Sequence, residues 1–172
     1  MKKGFTLIEV LVVTAVIGII SIMLVANWTK NESSSKLQRT AQEVVLSIRS
    51  AQDIALNSFK SSGQDVPYSY GIRFDKDIDS SYLIFGDKNG NNTYQPSDIL
   101  IKNVLIESGI EIDSLSSGNN NLNIVFSIPD GFTTINPSST SASIVIKKSN
   151  GICPQDCKTI TIMNTGQVSI YE

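Results

Sequence analysis

Asp87, Asn89, Asn91 and Asp98 fall at positions 1, 3, 5 and 12 of the frame in which calcium-binding loops place their oxygen ligands. Side-chain oxygens at that spacing can wrap a hard cation, and calcium is the one cofactor the residues suggest. Two features depart from the frame. Asn92 stands where the sharp-turn glycine belongs, and Asp98 is shorter than the usual bidentate glutamate. Asn-Gly-Asn is also an ordinary turn sequence, so a bare turn and a calcium loop both stay open. Cys153 and Cys157 enclose Pro154-Gln155-Asp156. In a domain outside the cytoplasm this spacing predicts a local disulfide, worth under ~3 kcal/mol, rather than a redox pair. Asp75, Asp77 and Asp79 are close enough for acid–base work, but a polar turn between two strand-like runs predicts a solvated corner. No histidine occurs among the 172 residues. The commonest general base and transition-metal ligand is missing, and Ser-His and Cys-His chemistry with it. With no glycine-rich phosphate loop and no nucleophile elbow, the chain reads as a non-enzyme.

One further charge demands an element to hold it. An apolar run extends from Phe5 to about Val25 behind Lys2 and Lys3, and Glu9 lies inside it. As a helix the run crosses a hydrocarbon core of ~30 Å. A carboxylate there costs ~2.5–3.5 kcal/mol and calls for a partner. A secretory signal peptide would be shorter and followed by a small-residue cleavage site, which this stretch lacks. A plain membrane anchor fits the length and the lysine flank but leaves Glu9 unexplained. A buried core helix is rarely apolar all round at the terminus of so small a chain.

Lys3-Gly4-Phe5-Thr6-Leu7-Ile8-Glu9 closely resembles the processing site of type IV prepilins and pseudopilins. The resemblance implies that a membrane prepilin peptidase cuts between Gly4 and Phe5 and that Phe5 is then N-methylated. It also implies that Glu9 offers the opposite charge to the new α-ammonium when subunits stack into a filament. The partners it implies are prepilin peptidase, other pilin or pseudopilin subunits, the inner-membrane assembly platform, and membrane lipid before assembly. Gly18 sits within the apolar helix, and Ala26 stands where many major pilins carry a kinking proline, a departure from that subgroup.

From Asn31 the chain turns polar, and Leu37, Ala41, Val44, Val45, Ile48, Ala51, Ala55, Leu56 and Phe59 recur at helical spacing. Ser33, Ser34 and Ser35 can cap a new helix or interrupt a continuous one. The favoured reading is one long helix, straight or bent, from Phe5 to about Lys60, with its apolar stripe packed on a sheet and Gly63 ending it. Strand patterns follow at Tyr68–Phe74, Tyr82–Phe85, Ile99–Ile106, Leu122–Ile128, Ser143–Lys147, Thr159–Met163 and Gln167–Tyr171. SLSSGNNN and NPSSTSAS read as exposed loops. No crossover helices intervene, so the pairing is mainly antiparallel, and Asn164-Thr165-Gly166 signals a hairpin between the last two strands.

Tyr82 to Asn91 with Asp98-Ile99-Leu100, then Ile124 to Gly131, and Thr159 to Ile162 with Gly166-Gln167-Val168, resemble segments of the GspH/FimT group of minor pilins. Asp98 stands where that group often has a glutamate, and the basic closing tail of some members is missing. From Thr29 onward there are 12 basic and 15 acidic residues, a net of −3 that gives no footprint for nucleic acid. The group's DNA-binding members leave Lys147, Lys148 and Lys158 as the local hint of such a role. The expected organisation is a leader at 1–4, a membrane-spanning and filament-core helix at 5–28, an amphipathic second half at 29–62, and an extracytoplasmic antiparallel β domain at 63–172. The fold class is α+β, a long N-terminal helix whose second half packs on the sheet domain. The expected protein is a minor pilin or pseudopilin of a type IV pilus or type II secretion system, single-pass with a short cytoplasmic N-terminus. A DNA-binding subunit and a major pilin are the alternatives.

Overall fold

The computed structural model describes residues 6–58, 66–118, 120–137 and 139–171. The chain divides into two compact units, Met1–Ser35 and Lys36–Glu172. One helix, α1 (Leu7–Asn57), contributes to both and is unbroken through Gly18 and the serines at 33–35. Those serines therefore neither cap nor interrupt it. At its start Thr6 acts as the cap: its Oγ1 accepts the Glu9 N–H at 3.3 Å, and its carbonyl accepts the N–H groups of Glu9 and Val10. At its end Asn57 Nδ2 donates to the Asp53 carbonyl and carboxylate at 2.8 and 2.9 Å, and Ser58 Oγ donates to the Ile54 carbonyl. These side chains take up carbonyls that the final turn leaves unpaired, so α1 stops short of the expected Lys60. Phe59 and Gly63, the expected end of the stripe and stop of the helix, lie outside the described residues.

The second unit is built from nine described strands: β1 (Ser69–Asp75), β2 (Ser81–Asp87), β3 (Ile99–Leu105), β4 (Ile110–Leu115), β5 (Asn121–Ser127), β6 (Thr133–Asn136), β7 (Ser141–Lys148), β8 (Cys157–Met163) and β9 (Val168–Tyr171). They form two antiparallel sheets, ordered β3-β2-β1-β5-β6 and β4-β7-β8-β9. Sequence patterning finds seven of these strands and misses β4 and β6. β4 reads Ile-Glu-Ile-Asp, and its acidic residues are depleted in strands, yet Ile110 and Ile112 are buried while Glu111 and Asp113 bind Lys147 on β7. β6 has one aliphatic residue, Ile135, which is buried opposite Ile124. The loops are correspondingly shorter than expected: Ser114 and Leu115 belong to β4, and Ser141 to Ser143 belong to β7.

Period decides what packs. Leu37, Ala41, Val44, Val45, Ile48, Ala51 and Ala55 are buried along one face of α1, in one cluster with Ile72, Phe74, Tyr82, Ile84, Leu122, Ile124 and Phe126 of the larger sheet. Ile144, Ile146, Ile160 and Ile162 of the smaller sheet belong to the same core. Leu56, counted in the stripe by spacing, is 47% exposed. Tyr82 brings its hydroxyl through the core to Ser47 Oγ at 2.9 Å, and burial pushes its phenol up to about 12. The β8–β9 turn carries Gly166 at φ +84°, and a Cβ there would collide with Gln52 on α1.

The larger sheet also buries part of its second face. Phe85 and Val125 are fully buried beneath the loop between β2 and β3. Tyr94 of that loop meets Phe85 edge-on at 5.3 Å, and the Arg73 guanidinium lies 5.9 Å from the Tyr94 ring centre. Gly71 makes room, since a Cβ would fall 2.9 Å from the Ile124 carbonyl and 3.0 Å from Phe85 and Val125.

Candidate processing and assembly site

Gly4 and Phe5, the residues expected to flank the cut, lie outside the described residues. The site is legible from Thr6 onward. Leu7 to Leu24 are exposed on every side, so the first unit buries none of its apolar surface on its own. Two hydroxyls within this stretch are satisfied by the helix itself: Thr14 Oγ1 donates to the Leu11 carbonyl at 3.0 Å and Ser21 Oγ to the Ile17 carbonyl at 2.8 Å. Such back-bonding is what lets a polar side chain enter hydrocarbon. Glu9 has no equivalent. Its carboxylate stands in the first turn of α1, and among the described residues it meets no cation or hydrogen-bond donor. The helix N-terminus favours a negative charge there by ~0.3–1 kcal/mol, less than hydrocarbon charges for a bare carboxylate. An external cation is the chemistry that this position asks for.

Thr6 is the residue that sequence reasoning passed over. Its signal was present, because Thr6-x-x-Glu9 before an apolar run is a capping-box sequence. The structure contains the hydroxyl half of that box, which fixes where α1 starts and so where Glu9 points along the chain.

The loop residues of the calcium frame do come together, with their oxygens already engaged. Asp87 is fully buried; its Oδ1 accepts the N–H groups of Asn89 and Gly90 at 3.1 and 2.8 Å, and its Oδ2 accepts that of Asn92 at 2.7 Å. Asp98 Oδ1 and Oδ2 accept the N–H groups of Lys88 and Gln95 at 3.0 and 2.7 Å. Asn89 Oδ1 takes the Asn91 N–H, and Asn91 Oδ1 takes the Thr93 N–H. Asn92 supplies the left-handed conformation, φ +59°, that a glycine would. Amide donors therefore surround both carboxylates and hold the loop that roofs Phe85. A cation would share oxygens with them. Among the described residues, no three His, Cys, Asp or Glu side chains form a ligand set.

The lysines suggested for DNA do not converge. Strand register puts Lys148 and Lys158 on the face that carries Ile146 and Ile160, and Lys147 on the opposite face. Lys147 Nζ is 2.7 Å from Asp113 and 3.4 Å from Glu111, and the bond to Asp113 raises its ammonium above the ordinary range. Lys148 Nζ sits 2.8 Å from Asp156 and holds that carboxyl below its ordinary value. Cys153 and Cys157 are joined in a disulfide, with Cα atoms 5.3 Å apart, in the same β7–β8 connection. Asp75, Asp77 and Asp79 form no catalytic pair: Asp75 binds Arg73 at 2.7 Å and caps the 3-10 turn Lys76–Ile78, while Asp77 accepts from Asn120.

Comparison with known proteins agrees with the terminal helix and with the domain. Residues 1–25 match the model of the prokaryotic N-terminal methylation motif. Two crystal structures of the type IV minor pilin FimU of Pseudomonas aeruginosa share the fold. One aligns at TM-score 0.50 and 18% identity over 81% of this chain and 90% of FimU. The other aligns at TM-score 0.51 and 17% identity over 79% and 93%. No curated protein sequence matches the chain. The motif and the fold are those of structural subunits rather than enzymes. With a prepilin methylation motif at the head of a helix whose second half packs on antiparallel sheets, the chain is a type IV pilin-like protein.

Proposed function

We propose that the protein is a minor pilin or pseudopilin, a low-abundance subunit of a type IV pilus or of a type II secretion pseudopilus. After removal of residues 1–4, the α-ammonium of Phe5 on one subunit pairs with Glu9 of a neighbour. Before that step the apolar helix waits in the membrane with the β domain outside the cytoplasm. The observation that carries this reading is Glu9. Thr14 and Ser21 satisfy themselves within the apolar stretch, whereas the one carboxylate there has no cation among the described residues. Charge pairing between subunits would offset the ~2.5–3.5 kcal/mol that lipid exacts for it. The loose resemblance of the 82–91 and 159–168 segments to the GspH/FimT group supports a minor rather than a major subunit, as does Ala26 in place of a proline.

Two substitutions test the assignment. Glu9→Ala leaves a helix that still inserts, so cleavage after Gly4 proceeds while incorporation into filaments is lost. Gly4→Leu blocks the cut, and the full-length chain stays in the membrane. Normal incorporation of the Glu9→Ala protein would sink the charge-pairing account.

A further inference from the structure

We propose that β3 is a docking edge for an extended, acidic segment of a different protein. The two sheets have four edge strands, and three are guarded in recognisable ways. β6 and β9 are four residues long, with Pro137 directly after β6. β4 carries a register break between Ile112 and Ser114 and the carboxylates bound to Lys147. β3 is seven residues long and paired only to β2, and no described strand covers its other side. It leaves Leu100 52% and Leu105 72% exposed, with Ile99 and Ile101 also in solvent. A row of free N–H and C=O groups spaced as in a strand can be satisfied by another strand.

Charge identifies the occupant. Lys102 is the single charged residue of Ile99–Leu105, and it is exposed at the midpoint of the strand. Antiparallel pairing of β3 with β3 of a second copy, at full overlap, sets Lys102 directly against Lys102. In-register parallel pairing also brings the two ammonium groups together, and like charges across a ladder are destabilising. Homotypic pairing is thus penalised at the position where overlap is greatest. The complement is a strand with aliphatic side chains and a carboxylate opposite Lys102. This chain's own acidic edge, β4, already spends its carboxylates on Lys147. The segment therefore comes from another protein.

The test uses the full-length protein in detergent micelles with two synthetic peptides, acetyl-Thr-Val-Ile-Glu-Ile-Val-Thr-amide and the same peptide with lysine at its centre. Amide exchange of β3 is followed by NMR. The glutamate peptide should slow exchange along Leu100–Asn103, and about fivefold more than the lysine peptide does, the size of one favourable cross-strand charge pair. Lys102→Glu, an exposed change that leaves the core intact, should reverse the preference. Equal slowing by both peptides, or slowing by neither, overturns the proposal and leaves Lys102 as a guard against pairing. Slowing that rises with protein concentration alone makes a second copy the occupant and equally overturns it. None of these outcomes bears on cleavage at Gly4, which is read separately by mass.

Discussion

Single carboxylates do three different jobs in this chain, and burial and partners separate them. Asp87 is a structural acceptor. Removing it by Asp87→Ala strands the amides of Asn89, Gly90 and Asn92 under the loop, and urea denaturation should show a loss of ~2–4 kcal/mol. Because those amides already fill its oxygens, a thermal melt should be unmoved by calcium or by a chelator. A rise of several degrees on adding calcium would mean that the metal displaces them. Asp156 is held by Lys148 with its pKa lowered from 3.8, so its contribution is present above that pH and disappears as pH falls through the lowered value. Below pH 3.8, NMR should therefore show the amides of Gly151 and Ile152 loosening before the sheets do. An unchanged loop down to full protonation would show that the ion pair is ornamental. Glu9 is the third kind, a charge awaiting a partner. Its oddity was legible from the sequence because a charge in an apolar run needs no structure to be conspicuous. The amide cage of Asp87 was not legible, because a ligand frame and a capped turn use the same oxygens.

Elements were predictable to the extent that burial imposed a period. The α1 stripe from Leu37 to Ala55 was readable because one helix face meets two sheets, and Ile48→Ala should cost ~2–4 kcal/mol in a denaturant titration. Leu46, on the same helix and 63% exposed, should tolerate alanine within ~0.5 kcal/mol. Equal costs at the two positions would contradict the assigned face. β4 and β6 escaped notice because their stability is tertiary: Glu111 and Asp113 are poor strand formers that earn their place through Lys147, and Thr-Thr-Ile-Asn offers one buried side chain. The second buried face of the larger sheet escaped for a related reason, since Phe85, Tyr94 and Gly71 are far apart in sequence and alternate with residues of the main core. The β7–β8 connection keeps hydrogen bonds from Gly151 to Lys148 and from Asp156 to Ile152, besides the Lys148–Asp156 pair. Reduction of Cys153–Cys157 should therefore lower stability by less than ~3 kcal/mol and leave the sheets folded.

Taken whole, the molecule keeps two solvents apart: an apolar helix start with one carboxylate, and a mildly acidic domain with its own core. Its basic residues give no nucleic-acid face, since Lys147 and Lys148 are held by carboxylates on opposite sides of one sheet. The full-length protein in micelles should accordingly fail to retard DNA even at low salt, where phosphate contacts are strongest. Salt-sensitive retardation would revive the DNA-uptake reading. The fold class was visible in the order of patterns, one long helix followed by strands without crossovers. The number of sheets was not, because pairing partners distant in sequence leave no periodic mark. The central claim is that the chain is processed at its head and built into a filament as a minor subunit. Mass spectrometry of filaments sheared from the native cell, including the N-terminal peptide, tests it most directly. The account predicts a trace component whose first residue is N-methylated Phe5. A chain that still begins at Met1 or Lys2 would contradict it, and the argument from Glu9 would fall with it.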